Sequence, residues 1–311
     1  MDQTNQPNIS QKVNQRLLKL AKESKADLNR LRIRYVNERL LYRLSQSRDQ
    51  EQFILKGANL FFVWSGQPHR HTKDLDFLCY GNNNIEHIKN LFREICSISV
   101  QEDGVEFLSD TIKGKLIKED QEYEGVQIKI AWKIHTTKGV AQIDIGFGDQ
   151  VVPEAKIETF PLILQELELN PPKLRMYPPE TVIAEKFEAM VKLGELNSRI
   201  KDFYDIFYLS ENFVFNQKIL AKAIQVTFNH RKTAIPSDIP YCLTKEFSQA
   251  KQKNWIAFLK DKQIKNTSEN FQDIISRLIL FLEPVYRSII EEQIPDHVWK
   301  LTDFYWRKIE D

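Results

Sequence analysis

Apolar residues recur at helical spacing from Leu31 to Leu44, where Leu31, Ile33, Val36, Leu40, Leu41 and Leu44 line one stripe and predict a helix. Phe53-Ile54-Leu55 is a short apolar run closed by Lys56-Gly57 and predicts a buried strand or the tail of an element. Ala58 to Trp64 predicts a compact helix stopping at Ser65-Gly66, with a loop over Gly66-Gln67-Pro68-His69-Arg70. Leu75, Phe77 and Leu78 predict a further strand. Asn82 to Ile95 predicts a helix with Ile85, Ile88, Leu91, Phe92 and Ile95 on one side. Period-two alternation then marks strands at Gln127 to Trp132 and Gly139 to Phe147, the second setting Val140, Gln142 and Asp144 opposite Ala141, Ile143 and Ile145.

A proline-rich stretch from Asn170 to Pro179 separates these segments from a region that reads almost exclusively as helices: Thr181 to Leu193, Ile200 to Leu209, and several in 215–311. Ahead of everything, residues 1–25 are polar, with a stripe only at Val13, Leu17, Leu18 and Leu20, and predict an extended or short helical arm. The expected class is α+β: an arm at 1–25, a mixed sheet with helices at 26–169, and a helical domain at 170–311.

Composition narrows the function classes. Of 311 residues, 42% are hydrophobic and 28% charged, enough for a sizeable core. Lys+Arg 44 against Asp+Glu 43 gives a net charge of +1, so only a local basic patch would mark a nucleic-acid partner. Three scattered cysteines (Cys79, Cys96, Cys242) suit neither a disulfide framework nor a zinc site. The first residues lack a signal-peptide layout, and no run of about 18 apolar residues offers a membrane span. A cytoplasmic setting without membrane partners is expected.

Candidate chemistry centres on acids. Asp74 and Asp76, two residues apart on a strand, point to one face, where their repulsion is costly unless a cation sits between them. Mg²⁺ suits such a pair, being held by one or two carboxylates plus substrate phosphates. A solvated D-x-D is the plain alternative. Gly57 follows an apolar run and opens a helix, where backbone N–H groups can approach a phosphate; Asn59 is two positions on. Asp144, flanked by isoleucines, is a candidate third metal carboxylate or a base, with an exposed-face Asp as the alternative. In the second half, Lys186 falls within the apolar face formed by Val182, Ile183, Phe187, Met190, Val191 and Leu193. Asp202 lies between Ile206 and Leu209 on its own wheel, with Asp205 just outside. The two embedded charges either pair as structure or face a triphosphate and its metal, and the wheel does not separate these readings.

Leu55-Lys56-Gly57-Ala58-Asn59-Leu60 with Pro68-His69-Arg70-His71-Thr72-Lys73-Asp74-Leu75-Asp76-Phe77 resembles the first motif of the AbiEii/AbiGii toxin family of nucleotidyltransferases. Ala184-Glu185-Lys186-Phe187-Glu188-Ala189 resembles its lysine motif, and Arg199-Ile200-Lys201-Asp202-Phe203-Tyr204-Asp205 its K-D-x-x-D motif, in the expected order over roughly residues 50 to 210. The resemblance implies a DNA polymerase β-type nucleotidyltransferase fold followed by a helical domain that completes the active site. It implies NTP and Mg²⁺, a toxin–antitoxin or abortive-infection role with a cognate antitoxin, and transfer to a tRNA 3′ end, as related toxins perform. Asp74 and Asp76 would then hold metal, joined by Asp144. Lys186 would bind the triphosphate, Asp202 would be the late catalytic acid, and Gly57, Asn59 and Arg70 would bind nucleotide. Many members carry Ser or Thr where this chain has Ala58 and Asn59.

The expected reaction is in-line attack on the α-phosphate with pyrophosphate leaving, and Asp202 or Asp144 orienting the acceptor hydroxyl. An RNA acceptor needs a basic surface, for which Arg30, Arg32, Arg34, Arg39, Arg43 and His230-Arg231-Lys232 are candidates, although a solvated helix face explains any one of them. Competing readings are transfer to a small molecule or protein side chain, a catalytically silent binding module, and an interaction protein using Trp255, Trp299 and Trp306. Which NTP, acceptor and antitoxin are used, and the oligomeric state, lie beyond the sequence.

Overall fold

The structure is a computed structural model describing residues 8–66, 70, 72–118, 124–301 and 304–308. It divides into two compact units, Met1–Gly148 with Lys156–Met176, and Asp149–Ala155 with Tyr177–Asp311. Among the described residues no helix is long and apolar enough to cross a membrane. The loop positions 67–69 and 71 of the first motif, and residues 1–7 of the expected arm, lie outside the described residues.

The first unit is α+β, as expected. Its strands are β1 (Phe53–Lys56), β2 (Leu75–Cys79), β3 (Glu106–Lys118), β4 (Glu124–Ile134), β5 (Thr137–Phe147), β6 (Lys156–Thr159) and β7 (Lys173–Met176). They form one sheet in the order β3-β4-β5-β2-β1-β7-β6. β2 runs parallel to β5 and β1 parallel to β7, while the other pairings are antiparallel. Alternation in β5 is that of a one-sided strand: Ala141, Ile143 and Ile145 are buried, whereas Val140 and Lys138 are exposed. The domain boundary expected at 170 moves to 176, because β7, inside the proline-rich stretch, joins β1 and β6 in the sheet.

Helices α1 (Ile9–Ser24), α2 (Leu28–Ser45), α3 (Leu60–Ser65) and α4 (Ile85–Ser97) belong to the same unit. Of the extended or short helical arm expected at 1–25, the described part is helical: α1 is capped by the Asn8 side chain. It sinks Val13 and Leu17 completely into a cluster with Tyr35, Trp132, Ile134 and Ala141. Two buried residues sufficed to anchor it, which is why the stripe looked thin.

Helix α2 is buried over most of residues 35–45, and this takes Arg39 and Arg43 out of the basic surface expected there. Arg43 is paired with buried Asp103 at 2.6 Å. Arg39 lies 3.1 Å from Glu38, and both side chains are 1% exposed. Arg34 sits over the Phe62 ring at 4.1 Å, and Arg32 donates to Asn14. These arginines tie the helix into the core.

The second unit contains α5 (Pro179–Leu193), α6 (Ile200–Asn212), α7 (Gln217–His230), α8 (Lys245–Lys262) and α9 (Phe271–Ile290). Helices do not fill it entirely: β8 (His297–Lys300) and β9 (Tyr305–Lys308) form a hairpin the sequence pattern did not show. Trp255 and Trp299 are core residues rather than contact residues, their indole N–H groups donating to Ser268 O and Ser210 O, and Trp306 stacks on Phe281. Arg231, expected on a basic tail, is buried. It donates to both oxygens of Asp149 at 3.0 Å and to Glu188 at 3.0 Å, with Glu185 at 3.5 Å.

Burial pushes the Glu38 carboxyl up to about 7, against the opposing pull of Arg39 and of the Ile163 N–H that donates to it at 2.7 Å. A carboxyl whose folded value lies above its ordinary 4.5 favours folding while protonated, so stability falls as pH rises from about 4.5 to about 7. Chemical denaturation at a series of pH values should show this slope, amounting to at most about 3 kcal/mol, and Glu38→Gln should flatten it. An unchanged slope in the variant would assign the effect to another group.

Candidate active site

In the first unit the sheet aligns a row of polar residues across four strands. Lys56 on β1 is opposite Asp76 on β2, Asp76 opposite Asp144 on β5, and Asp144 opposite Gln127 on β4. Neighbouring strands lie about 4.8 Å apart, so the Asp76 and Asp144 carboxylates occupy adjacent places on one face. The flanking Leu75, Phe77, Ile143 and Ile145 are buried on the other face, which fixes the register because a slip of one residue would exchange the two sets. Asp74 stands just before β2, two residues from Asp76.

The backbone around Asp74 is pinned from two sides. Asn59, wholly within the core, donates its side-chain N–H to the Asp74 carbonyl at 2.7 Å, and buried Asn37 of α2 donates to the Lys73 carbonyl at 3.1 Å. Asn59 therefore holds the acid-bearing segment. Ala58 is buried and has no hydroxyl to offer. Asn37 escaped notice because nothing in its helix stripe distinguishes it.

Gly57 has φ +77°, and a Cβ at this position would overlap the Asp76 carboxylate. The glycine is required by that close approach and by its left-handed backbone. Its expected place at a helix N-terminus reduces to a single 3₁₀ turn, Gly57–Asn59, ahead of the six-residue α3. Arg70 is half-buried between positions outside the described residues.

Asp144 accepts from Gln127 Nε2 at 2.8 Å, and from Gln142 Nε2 at 3.4 Å on Oδ1 and 3.2 Å on Oδ2. Among the described residues, no group of three or more His, Cys, Asp or Glu side chains is arranged to hold a metal ion. Of the expected metal trio of Asp74, Asp76 and Asp144, the last is held by the carboxamides of Gln127 and Gln142.

In the second unit Lys186 and Asp202 meet. Lys186 Nζ lies 2.6 Å from Asp202 and 2.8 Å from Asp205, and Arg199 Nε donates to the other Asp202 oxygen at 2.6 Å. Both acids are 0% exposed, while the Lys186 side chain keeps 13%. Burial pushes the Asp202 carboxyl up, but Lys186 and Arg199 outweigh it and hold the group below its ordinary value. Asp202 also occupies the first turn of α6, where the helix dipole favours an anion. The structural pairing left open by the helical wheel is therefore present, and it includes Asp205, which the wheel had placed outside. Lys186 retains the exposure that Asp202 lacks.

The sequence pattern described as "Nucleotidyl transferase AbiEii toxin, Type IV TA system" matches residues 39–277. No protein with a curated description matches the chain. Two solved structures are similar. JHP933 from Helicobacter pylori is 15% identical, with 83% of this chain and 94% of that one covered and a TM-score of 0.45. A Helicobacter pylori protein described as a candidate nucleotidyltransferase is 14% identical, covering 85% of this chain and 96% of that one, with a TM-score of 0.43.

Two outcomes follow from this geometry. Lys186→Met strips the buried Asp202 and Asp205 of a shared cation and should cost about 3–5 kcal/mol in urea unfolding, so its loss of activity would be partly loss of fold. A variant as stable as the parent would show that the ion pairs contribute little. Gly57→Ala should displace the Asp76 carboxylate and abolish turnover while lowering stability by about 1–3 kcal/mol. Full turnover in Gly57→Ala would contradict the close approach.

Proposed function

The chain belongs to the AbiEii family of nucleotidyl transferase toxins of type IV toxin–antitoxin systems, and we propose that it transfers a nucleoside monophosphate from an NTP to the 3′ end of an RNA, tRNA being the first candidate, with Mg²⁺ bound at Asp74 and Asp76. The family is enzymatic, and its class implies a cognate antitoxin. The observation that carries the reading is the registered row Lys56–Asp76–Asp144 with Gly57 pressed against Asp76.

The residues suit the ion. Two carboxylates two residues apart at a strand end, one of them given its place by the missing Cβ of Gly57, match a hard cation that completes its shell with substrate phosphates. When bound, Mg²⁺ supplies charge neutralisation for the triphosphate. The chain's own groups do the rest. Asn37 and Asn59 fix the backbone that carries Asp74. Lys186 is the proposed triphosphate ligand of the helical unit, with Asp202 and Asp205 as its positioning partners. Asp144, held by two carboxamides, orients the acceptor hydroxyl and takes its proton. The hydroxyl oxygen forms a bond to the α-phosphorus as the bond to the β-phosphate oxygen breaks, and pyrophosphate leaves.

A second reading, transfer to a small molecule or protein side chain, is favoured by one observation: Arg39, Arg43 and Arg231 are buried in ion pairs, which removes three members of the expected RNA surface.

Purified protein incubated with each α-labelled NTP, Mg²⁺ and bulk tRNA should label RNA with at least one nucleotide, and Asp74→Ala should reduce this by at least about a hundredfold. Label that survives Asp74→Ala would sink the mechanism. Mg²⁺-dependent NTP turnover with unlabelled RNA would move the assignment to the second reading.

A further inference from the structure

The face of the sheet that carries Asp76 and Asp144 continues across β5, β4 and β3 as a field of lysines. Lys113 on β3 is opposite Lys129 on β4, Lys115 is opposite Gln127, and Lys133 is opposite Lys138 on β5. These positions alternate with buried Ile128, Ile130, Trp132 and Ile134, so they share one side of the sheet. The other side is packed: Gly114 backs directly onto Ile85 and Lys89 of α4. Lys113, Lys115, Lys129 and Lys138 are exposed, and among the described residues none of the four is in an ion pair. The fifth, Lys133, is 3.5 Å from Glu106.

Two pairs of like charges thus stand directly opposite each other, Lys113 with Lys129 and Lys133 with Lys138, the second of them offset by Glu106 beside Lys133. Such pairs weaken a sheet unless something compensates them. Solubility alone would be served by mixed signs. The field also has a direction. Gln127 is the register partner of Asp144, and Lys129 that of Gln142, so the nearest lysines lie one or two strands from Asp144, about 8–10 Å away, and Lys138 lies about 20 Å along β5. A cationic strip beginning beside an acceptor-orienting carboxylate suits a polyanion whose end must reach that carboxylate.

We infer that this face of β3, β4 and β5 docks the phosphodiester backbone of a single-stranded RNA end, delivering its terminal hydroxyl to Asp144. The inference rests on the proposed reaction for the role of Asp144. It names the basic surface that the buried Arg39 and Arg43 of α2 do not supply, and it commits to nucleic acid in place of an acidic protein. The strip spans the length of a few nucleotides, and phosphate contacts by lysine need no base sequence.

Binding is measured by fluorescence anisotropy with a 5′-labelled single-stranded RNA of about 20 nucleotides and the full chain, over a range of salt concentrations. Three proteins are compared: the parent, the face variant with Lys113→Gln, Lys115→Gln, Lys129→Gln and Lys138→Gln, and a control in which the exposed Lys222, Lys245, Lys253 and Lys260 become Gln. The expected result is affinity lowered by about tenfold or more at low salt in the face variant. The slope of log K against log salt should shrink by about 3, or roughly 0.7 for each lysine removed, with the control close to the parent. Equal losses in face and control variants, no RNA binding by the parent, or equally tight, equally lysine-dependent capture of a polyglutamate peptide would each overturn the inference. Because binding needs no turnover, lysine-dependent binding by a protein that transfers no nucleotide would sink the proposed reaction and leave the docking face standing.

Discussion

The first unit is organised by a constraint of electrostatics: carboxylates placed in register on adjacent strands repel each other at about 4.8 Å spacing. Asp76 and Asp144 are so placed by the parallel pairing of β2 with β5, and the apolar residues that alternate with them hold the register. Everything around the pair bears on that repulsion. Lys56 stands opposite Asp76, the carboxamides of Gln127 and Gln142 support Asp144, and Gly57 gives up its side chain so that the Asp76 carboxylate can lie against the chain. Neutral donors at Asp144 preserve a negative charge that an arginine would have cancelled.

The second unit meets its charges in the opposite way. Asp202 and Asp205 are enclosed completely, and their charge is balanced by Lys186 and Arg199 at 2.6 to 2.8 Å. A compensated, buried cluster of this kind sets the direction of the lysine side chain, and it makes stability and activity hard to separate at Lys186. Arg231 repeats the device with Asp149, Glu185 and Glu188.

Much of this was legible in the sequence where one element carried the whole signal. The alternation around Asp144 and the apolar flanks of Asp76 showed strands, and Lys186 on an apolar helix face pointed to an anionic partner, either an acid of the chain or a triphosphate. Relations between elements were not legible. That Gln127 faces Asp144 depends on how β4 pairs with β5, and that Asn59 holds the Asp74 carbonyl depends on a turn closing over a loop. Arginines of α2 looked like a solvated face because local spacing does not reveal that a helix is covered on several sides. The lysines of β3, β4 and β5 went unnoticed for the converse reason: each is an isolated polar residue in its own strand, and only pairing collects them. Short strands such as β6, β7, β8 and β9, four residues each, carry too little periodicity to announce themselves.

The central claim is that Asp74 and Asp76 hold the ion that carries the triphosphate. Anomalous scattering from crystals grown with Mn²⁺ and a non-hydrolysable NTP analogue tests it most directly. The account predicts a manganese peak at about 2.1–2.2 Å from carboxylate oxygens of both Asp74 and Asp76, with triphosphate oxygens completing its shell and Asp144 still held by Gln127. A peak ligated elsewhere, or a bound triphosphate with no metal at these aspartates, would contradict it.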